Sequence, residues 1–214
     1  MQGSILNCLQ DPRIGLDSKN VTDLVVPQIK VYLELLVKWN QKINLTAQKQ
    51  PEDILFRHVF DSLQYCRFIK PHFRLLDIGS GAGFPGIPLK IIFPNLQLVL
   101  VESQRKRCSF LETVVRDLQF DDVVVINSRA EDISDNEEGK FDAVSFRAVT
   151  DLESCLFLGD RFVPCGGIVV VKKSPEETLD STAENSRFVL NKEVIITSHH
   201  GVESSLLAFE KCFT

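Results

Sequence analysis

A run of glycines near the middle of the chain limits what this sequence can fold into more than any other feature. An acid is followed by glycine at three alternate positions: Asp77, Gly79, Gly81 and Gly83. Apolar residues 75–78 before the run predict a short buried strand, and residues 87–93 after it predict a helix with proline near its start. A strand, a glycine-rich turn and a helix form a cofactor-binding loop, because glycine lets the backbone approach a ligand and the helix N-terminus offers free N–H groups.

Two classes of cofactor compete for this loop. Dinucleotide-binding proteins use the fingerprint G-x-G-x-x-G, which residues 81–86 match, but only after the turn has begun at Gly79. A carboxylate ahead of the first glycine repels a pyrophosphate, whereas S-adenosylmethionine has an ammonium and a sulfonium and no phosphate. Asp77 therefore favours S-adenosylmethionine. A turn without a ligand is the weaker alternative, since three alternating glycines cost backbone entropy.

The apolar runs beyond the glycine loop predict an α/β fold. Four of them alternate with helical patterns, which is typical of parallel strands in one sheet, and the last two flank a His-His-Gly turn, which predicts an antiparallel pair. The seven predicted strands are residues 75–78, 96–102, 122–126, 140–148, 168–172, 193–197 and 205–209.

The chain before the glycine loop is predicted to be helical. Apolar residues recur at helical spacing over 21–42, and a second helix is predicted over 51–68, with proline and acids in its first turn. We therefore expect an N-terminal helical region, residues 1–72, followed by a Rossmann-like domain, residues 73–214. Residues 173–187 are polar and predict a loop running into a helix.

Polar residues at the ends of predicted strands are candidates for cofactor contacts. Glu102 ends the second strand, 25 residues beyond Asp77, near the spacing at which a carboxylate binds ribose hydroxyls. Ala130 and Glu131 follow the third strand, where an acid or a backbone group can receive an adenine amino group. Arg147 leaves the fourth strand at the same edge of the sheet, with an ion pair to a nearby acid as the ordinary alternative to a ligand contact.

Four polar residues cluster on the helix predicted over 51–68: Arg57, His58, Asp61 and Ser62. Arg57 and Asp61 are four residues apart and can pair across one helical turn. Spacing alone favours a surface ion pair with a satisfied histidine beside it.

Composition limits the class of protein. The net charge of −5 argues against a protein that simply coats nucleic acid. Residues 1–75 nevertheless contain 10 Lys and Arg against 7 Asp and Glu. A polyanionic substrate can dock there, although ordinary surface variation explains so small a surplus equally well.

The cysteines and the hydropathy indicate the compartment. The six cysteines are scattered without a CxxC pair, which predicts reduced thiols and no metal site. No apolar run has the length of a membrane span, and the N-terminus lacks the basic start of a signal peptide. We expect a cytoplasmic protein with no membrane partner.

The order of predicted elements is that of a class I S-adenosylmethionine-dependent methyltransferase, with a mostly parallel seven-stranded sheet and an antiparallel C-terminal hairpin. The chain further resembles the small-subunit (16S) ribosomal RNA guanine-N7 methyltransferase family, RsmG, also called GidB. The motifs that carry this resemblance are Lys38-Trp39-Asn40, Asn44-Leu45-Thr46, Arg57-His58 with Asp61-Ser62, the loop from Asp77 to Pro88, Lys106-Arg107, Ala130-Glu131, Phe141-Asp142 and Ser145-Phe146-Arg147-Ala148.

The resemblance implies S-adenosylmethionine as the cofactor, ribosomal RNA or the small ribosomal subunit as the partner, and 7-methylguanosine as the product. We expect a monomer. The resemblance places cofactor contacts on Gly79, Phe84, Ala130, Glu131 and Arg147. The chemistry of the loop and of the second strand adds Asp77, Gly81, Gly83 and Glu102. The basic residues expected to contact RNA are Lys38, Arg57, His58, Lys106 and Lys172.

Methylation at guanine N7 requires few catalytic groups from the protein. N7 has a free lone pair and no proton to remove, so neither a general base nor a cysteine nucleophile is expected. The motif Asn/Asp-Pro-Pro-aromatic serves exocyclic amines, and residues 145–148 have Ser-Phe-Arg-Ala in its place. Catalysis is then the positioning of N7 in line with the methyl group, with Asn44 and Arg147 as candidate positioning residues.

One segment departs from the family pattern. The family usually has an arginine in the last hairpin, in a Glu-Arg-His-Leu-like run, where this chain has Glu203-Ser204-Ser205-Leu206.

The sequence leaves other functions open besides RNA methylation. The alternatives are a small-molecule methyltransferase with the N-terminal helices as a lid, a nicotinamide-dependent oxidoreductase, and a structural protein with a relic cofactor loop.

Overall fold

The structure is a computed structural model that describes residues 1–147, 151–173 and 187–212. Its strands are β1 (Arg74–Ile78), β2 (Gln97–Val101), β3 (Val123–Ile126), β4 (Ala143–Arg147), β5 (Ile168–Lys173), β6 (Phe188–Thr197) and β7 (Glu203–Lys211). They form one seven-stranded sheet in the order β3-β2-β1-β4-β5-β7-β6. Strands β1 to β5 pair in parallel, and β7 runs antiparallel between β5 and β6.

Helices precede the sheet and connect its parallel strands. The first part of the chain forms α1 (Gln2–Leu9), α2 (Val25–Asn40), α3 (Pro51–Ile54), a π-helical turn (Leu55–Val59), α4 (Phe60–Leu63) and a 3₁₀ turn (Gln64–Arg67). The last four of these run without a break, so the helix predicted over 51–68 is present with a π turn inside it. The crossover helices are α5 (Gly86–Ile92), α6 (Arg105–Asp117) and α7 (Leu152–Asp160).

The predicted class I methyltransferase fold is confirmed, and its topology places a crevice above the centre of the sheet. β1 pairs with β2 on one side and with β4 on the other, so the chain reverses its direction of winding there. At such a switch point the loops at the carboxyl ends of the strands diverge and leave room for a ligand.

The helices of the N-terminal region share a core with one face of the sheet. Tyr32 of α2 is fully buried and stacks on Phe110 of α6 at 6.5 Å between ring centroids. Its hydroxyl donates a hydrogen bond of 2.6 Å to the carbonyl of Ala82. The other face is covered by α7 through Leu156 and by buried Phe162. The N-terminal region therefore contacts the glycine loop directly.

The structure extends one predicted strand and leaves several other predictions untested. β6 is twice as long as predicted, because its first half is largely exposed and lacks the apolar alternation that marks a strand in sequence. The loop and helix predicted over 173–187 fall, apart from the two end residues, outside the described residues. The domain boundary between residues 72 and 73 and the monomeric state stay predictions. Among the described residues, no helix has the length and apolar character needed to cross a membrane.

Candidate active site

The glycine loop is held to β2 by its own backbone. The N–H groups of Gly79 and Ser80 both donate to the carbonyl of Val101, at 2.9 and 3.0 Å. Gly81 and Gly83 have φ of +56° and +92°, in the region that favours glycine. A Cβ on Gly83 would lie 2.5 Å from Cγ1 of Ile87, whereas one on Gly81 would meet only a backbone oxygen at 3.8 Å. Gly83 is therefore needed for packing of the loop on α5, whereas no protein side chain crowds Gly81.

Asp77 holds the loop from inside the protein. Its side chain is fully buried; Oδ1 accepts a hydrogen bond of 2.8 Å from the Ser145 hydroxyl and Oδ2 one of 3.2 Å from the Gly86 N–H. Burial raises the pKa of this carboxyl to about 7, against the lowering effect of those hydrogen bonds. The sequence suggested that this acid meets the cofactor directly. In the structure its two oxygens bind β4 and the start of α5, so any influence on a ligand is through charge.

Glu102 connects the glycine loop to the turn after β2. Its Oε2 accepts from the Gly81 N–H at 3.0 Å and its Oε1 from the Gln104 N–H at 2.8 Å. Nη1 of Arg107 lies 3.7 Å from Oε2. These donors fix the carboxylate in one orientation at the carboxyl end of β2, where the spacing predicted a ribose ligand.

A cavity of about 220 Å³ opens between the carboxyl ends of β1, β2 and β3. It brings together four residues that the sequence predicted as cofactor contacts: Gly79, Glu102, Ala130 and Glu131. Its wall also includes residues that sequence reasoning did not single out: Ser103, Ser128, Arg129 and Leu158. Ser128 and Arg129 belong to the polar turn after β3, a signal that was available. Leu158 had no such signal, because in the sequence it is one of several apolar residues of α7.

Arg147 lies on the other side of the switch point, at the end of β4. Its side chain is only 14% exposed, and its Cζ lies 5.2 Å from the centre of the Phe84 ring. Its Nη2 donates a hydrogen bond of 2.9 Å to Nδ1 of His58 and lies 3.8 Å from Oδ2 of Asp61. The nearby acid that the sequence allowed as an ion-pair partner of this arginine is Asp61, and the structure adds His58 as a hydrogen-bond acceptor.

Asp61 is a buried carboxylate between two cations. Its Oδ2 also accepts a hydrogen bond from Nζ of Lys172. Lys172 and Arg147 are register partners on the neighbouring strands β5 and β4. The predicted pair of Arg57 with Asp61 is wrong, because the π turn at Leu55–Val59 adds a residue to that turn and removes the i, i+4 alignment. Arg57 is exposed to solvent.

The loop that follows α2 contacts the same network. Asn40, the last residue of α2, accepts from the N–H groups of Leu45 and Thr46 and donates to the carbonyls of Thr46 and Gln48. Nε2 of His58 lies 2.8 Å from both Oγ1 of Thr46 and Oε1 of Gln48. Asn40 thus shapes residues 41–48 so that two of their side chains reach His58.

Comparison with known proteins identifies the family. A sequence model described as rRNA small subunit methyltransferase G, GidB, matches residues 25–207. The chain belongs to this family. It is 38% identical to the ribosomal RNA small subunit methyltransferase G of Alkaliphilus oremlandii over 182 residues, 82% of this chain and 75% of the relative. It is 37% identical to that of Bacillus cereus over 187 residues, 85% of this chain and 75% of the relative.

Solved structures of low sequence identity share the fold. Precorrin-6y C5,15-methyltransferase of Geobacter metallireducens has a TM-score of 0.53 at 16% identity, covering 78% of this chain and 91% of that chain. M. jannaschii TYW2, solved in complex with AdoMet, has a TM-score of 0.58 at 14% identity, covering 72% of this chain and 76% of that chain. These likenesses show the fold alone.

The remaining predicted positions of this chain fall into two groups. Four are exposed, as an RNA contact requires: Lys38, Asn44, Arg57 and Lys106. His58 and Lys172 are instead partly buried and engaged with other side chains. In the hairpin where the family usually has an arginine, the Ser205 hydroxyl donates to Oε1 of Glu193 at 2.6 Å.

Proposed function

We propose that this chain transfers a methyl group from S-adenosylmethionine to N7 of a guanosine in small-subunit ribosomal RNA. The observation that supports this most is the cavity beside Glu102, which lies at the switch point of a methyltransferase fold and adjoins the glycine loop. Family membership supports ribosomal RNA as the substrate. The base and the atom that is methylated follow from the resemblance and from the chemistry below.

The residues around the crevice fit this cofactor. The fixed Glu102 carboxylate can accept two hydrogen bonds from a ribose diol, and the turn with Ala130 and Glu131 can receive the adenine amino group. The open side of Gly81 leaves space for the backbone to approach a ligand. Arg147, with its planar fork of donors, suits a carboxylate. When bound, S-adenosylmethionine supplies an electrophilic methyl group on a sulfonium.

The side chains near Arg147 agree with a reaction that needs no base. Guanine N7 offers a lone pair, and a positive charge develops on the base as the bond forms. The described residues around Arg147 supply Asp61 as a carboxylate, and burial lowers the pKa of His58 to about 3, so this imidazole is a neutral side chain at pH 7. The protein therefore contributes orientation and exclusion of water, consistent with catalysis by positioning.

Exposed cations of the N-terminal region are proposed to hold the RNA. Lys38 lies in the last turn of α2, just before the loop 41–48, and Arg57 lies on the π turn next to His58, which that loop contacts. Lys106 lies on the exposed side of α6 near its start. Phosphate contacts from these three residues would orient an RNA above the crevice, without specifying the base.

The direct test is methylation of RNA with isotope-labelled S-adenosylmethionine. Purified protein is incubated with small ribosomal subunits, with free small-subunit RNA and with a metabolite extract. The modified RNA is then treated with borohydride and aniline, which cleave at 7-methylguanosine because its imidazolium ring is open to reduction. We expect label in RNA and one strong cleavage site.

Gly81→Val is the matched control, because a Cβ there would clash with no protein atom and the cost is limited to strain at positive φ, which a thermal unfolding midpoint measures. The variant should fold, lose cofactor binding and lose methylation. Label in the extract alone would instead support the small-molecule alternative, and labelled RNA that resists aniline cleavage would exclude N7.

A further inference from the structure

His58 has no free ring nitrogen. Nδ1 faces Nη2 of Arg147 at 2.9 Å, and Nε2 faces Thr46 and Gln48. The ring stacks on Phe84, with centroids 5.0 Å apart and an angle of 27° between the planes. The residue lies in the π turn at Leu55–Val59, and such turns are frequent at functional sites. A direct phosphate contact, which the sequence suggested for His58, is not the role that this geometry supports.

The partners decide which nitrogen bears the proton. A guanidinium can only donate, so Nδ1 must be the unprotonated acceptor toward Arg147. Nε2 then bears the hydrogen and donates toward Oε1 of Gln48, which can only accept. The Thr46 hydroxyl donates to the same oxygen at 2.7 Å, which agrees with this assignment.

The neighbouring charges indicate what a neutral acceptor achieves. Arg147 lies 3.8 Å from the Asp61 carboxylate, whereas Lys172 forms the direct hydrogen bond to that oxygen. Lys172 therefore compensates most of the charge of Asp61. A second carboxylate in the place of His58 would neutralise Arg147, and a protonated imidazole would repel it. A neutral imidazole orients the guanidinium and leaves its positive charge available to an anion.

We propose that His58 is a positioning residue that holds the Arg147 guanidinium for the carboxylate of the cofactor's amino-acid part, and that links this arginine to the loop 41–48. The inference depends on the proposed function, because it takes Arg147 to bind S-adenosylmethionine. It assigns the two nitrogens separate tasks. Nδ1 orients the arginine, and Nε2–H fixes the ring to the loop that Asn40 shapes.

Two substitutions separate these tasks. In His58→Asn the side-chain oxygen can occupy the place of Nδ1, so the acceptor for Arg147 is kept and the link to Gln48 is lost. In His58→Gln the amide reaches the place of Nε2, so the link to the loop is kept and the acceptor is lost. Both variants lose the same aromatic stack with Phe84, so each is the control for the other. Matched thermal unfolding midpoints for the two variants verify that packing is affected equally.

The measurement is calorimetric affinity for two probes, S-adenosylmethionine and 5′-methylthioadenosine, which lacks the amino-acid carboxylate. We expect His58→Gln to weaken S-adenosylmethionine binding roughly tenfold, the effect of one hydrogen bond to a charged group. Its affinity for methylthioadenosine should be unchanged, and His58→Asn should bind both probes nearly as the wild type does. In turnover assays, the KM of His58→Gln for S-adenosylmethionine should rise by a similar factor, with a smaller change in kcat.

Equal losses in the two variants, or a loss of methylthioadenosine binding with His58→Gln, would overturn the proposal, because either result indicates a general disturbance of the site. Unchanged S-adenosylmethionine affinity in His58→Gln would overturn it as well. Arg147→Lys distinguishes this failure from that of the proposed function. If Arg147→Lys weakens S-adenosylmethionine binding and His58→Gln does not, only the role of His58 is wrong; if neither does, the assignment of Arg147 to the cofactor fails with it.

Discussion

Replacing Asp77 by asparagine should stabilise this protein above neutral pH. The carboxylate is fully buried, and burial raises its pKa from 3.8 to about 7. Asparagine has the same shape and is never charged. Its oxygen can accept from the Gly86 N–H, and its amide can donate to the Ser145 oxygen, whose own hydrogen is free to rotate. The loop geometry should therefore survive the change.

The size of the effect follows from the pKa. At pH 8 the wild-type carboxyl is mostly ionised in both states, and a shift from 3.8 to about 7 costs about 4 kcal/mol of folding free energy. At pH 5 the native carboxyl is protonated and the unfolded one is ionised, which reduces the cost to about 2 kcal/mol. The asparagine amide keeps both contacts with less favourable geometry than the protonated carboxyl, which offsets about 1–2 kcal/mol of the gain at both pH values. The variant should gain about 2–3 kcal/mol at pH 8 and almost nothing at pH 5.

The raised pKa of Asp77 also determines the direction in which stability changes with pH. A raised pKa contributes stability that is complete below the unfolded value near 3.8 and is lost as pH rises through about 7. Wild-type stability should therefore fall over this range relative to that of the variant. Other groups, such as His58, titrate in both proteins and cancel in the difference.

Urea unfolding at both pH values, with thermal midpoints as a second readout, measures this difference. The gain at pH 8 corresponds to roughly 5–10 °C for a chain of this size. Ser145→Ala is the matched control: it removes one donor and keeps the carboxylate, so its loss should be larger at pH 8 than at pH 5. An equal effect of Asp77→Asn at the two pH values would refute the reasoning, because the carboxyl would then ionise normally despite its burial.

Two further predictions concern the RNA surface and the glycine loop. Lys38→Glu and Arg57→Glu should each weaken binding of the small-subunit RNA and reduce the dependence of that affinity on salt. The affinity for S-adenosylmethionine, measured by calorimetry, should be unchanged. Loss of cofactor binding would mean that these residues are structural. Gly83→Ala should destabilise the protein by about 2–4 kcal/mol in urea unfolding, since strain at positive φ adds to a clash with Ile87. Gly81→Ala introduces strain without a clash and should reduce the free energy of unfolding by about 1–2 kcal/mol. Similar losses in Gly81→Ala and Gly83→Ala would contradict the packing role of Gly83.

The fold was predictable because its signals are local. Buried parallel strands are short apolar runs, and the glycine run with its flanking strand and helix fixes where the crevice lies. That Gly79, Glu102, Ala130 and Glu131 line one cavity was predictable for the same reason. Gly79 and Glu102 directly follow β1 and β2, Ala130 and Glu131 lie in the turn after β3, and the carboxyl ends of parallel strands meet at one edge of the sheet.

The arrangement around Arg147 could not be predicted, because it depends on contacts between distant parts of the chain. His58 and Arg147 are 89 residues apart in sequence, and helical spacing suggested a different partner for Asp61. The π turn that changes that alignment has no recognised sequence signal. Asn40 was visible as part of the motif Lys38-Trp39-Asn40, but nothing in that motif indicated that it organises the loop that fixes His58.

The two sides of the crevice carry charges of opposite sign, Arg147 on one side and Asp77 on the other. Among the described residues, the acceptor to which Arg147 donates, His58, is neutral, so it does not compensate the charge of the guanidinium. Asp77 lies one strand away and is buried under the glycine loop, so above about pH 7 it bears a negative charge that no cation contacts directly among its hydrogen-bond partners. That charge opposes folding, but under the proposed function it would attract the ammonium and the sulfonium of the cofactor. An anionic group beside Arg147 and a cationic group above Asp77 are the two ends of one zwitterionic amino acid, which is the part of S-adenosylmethionine that a dinucleotide lacks.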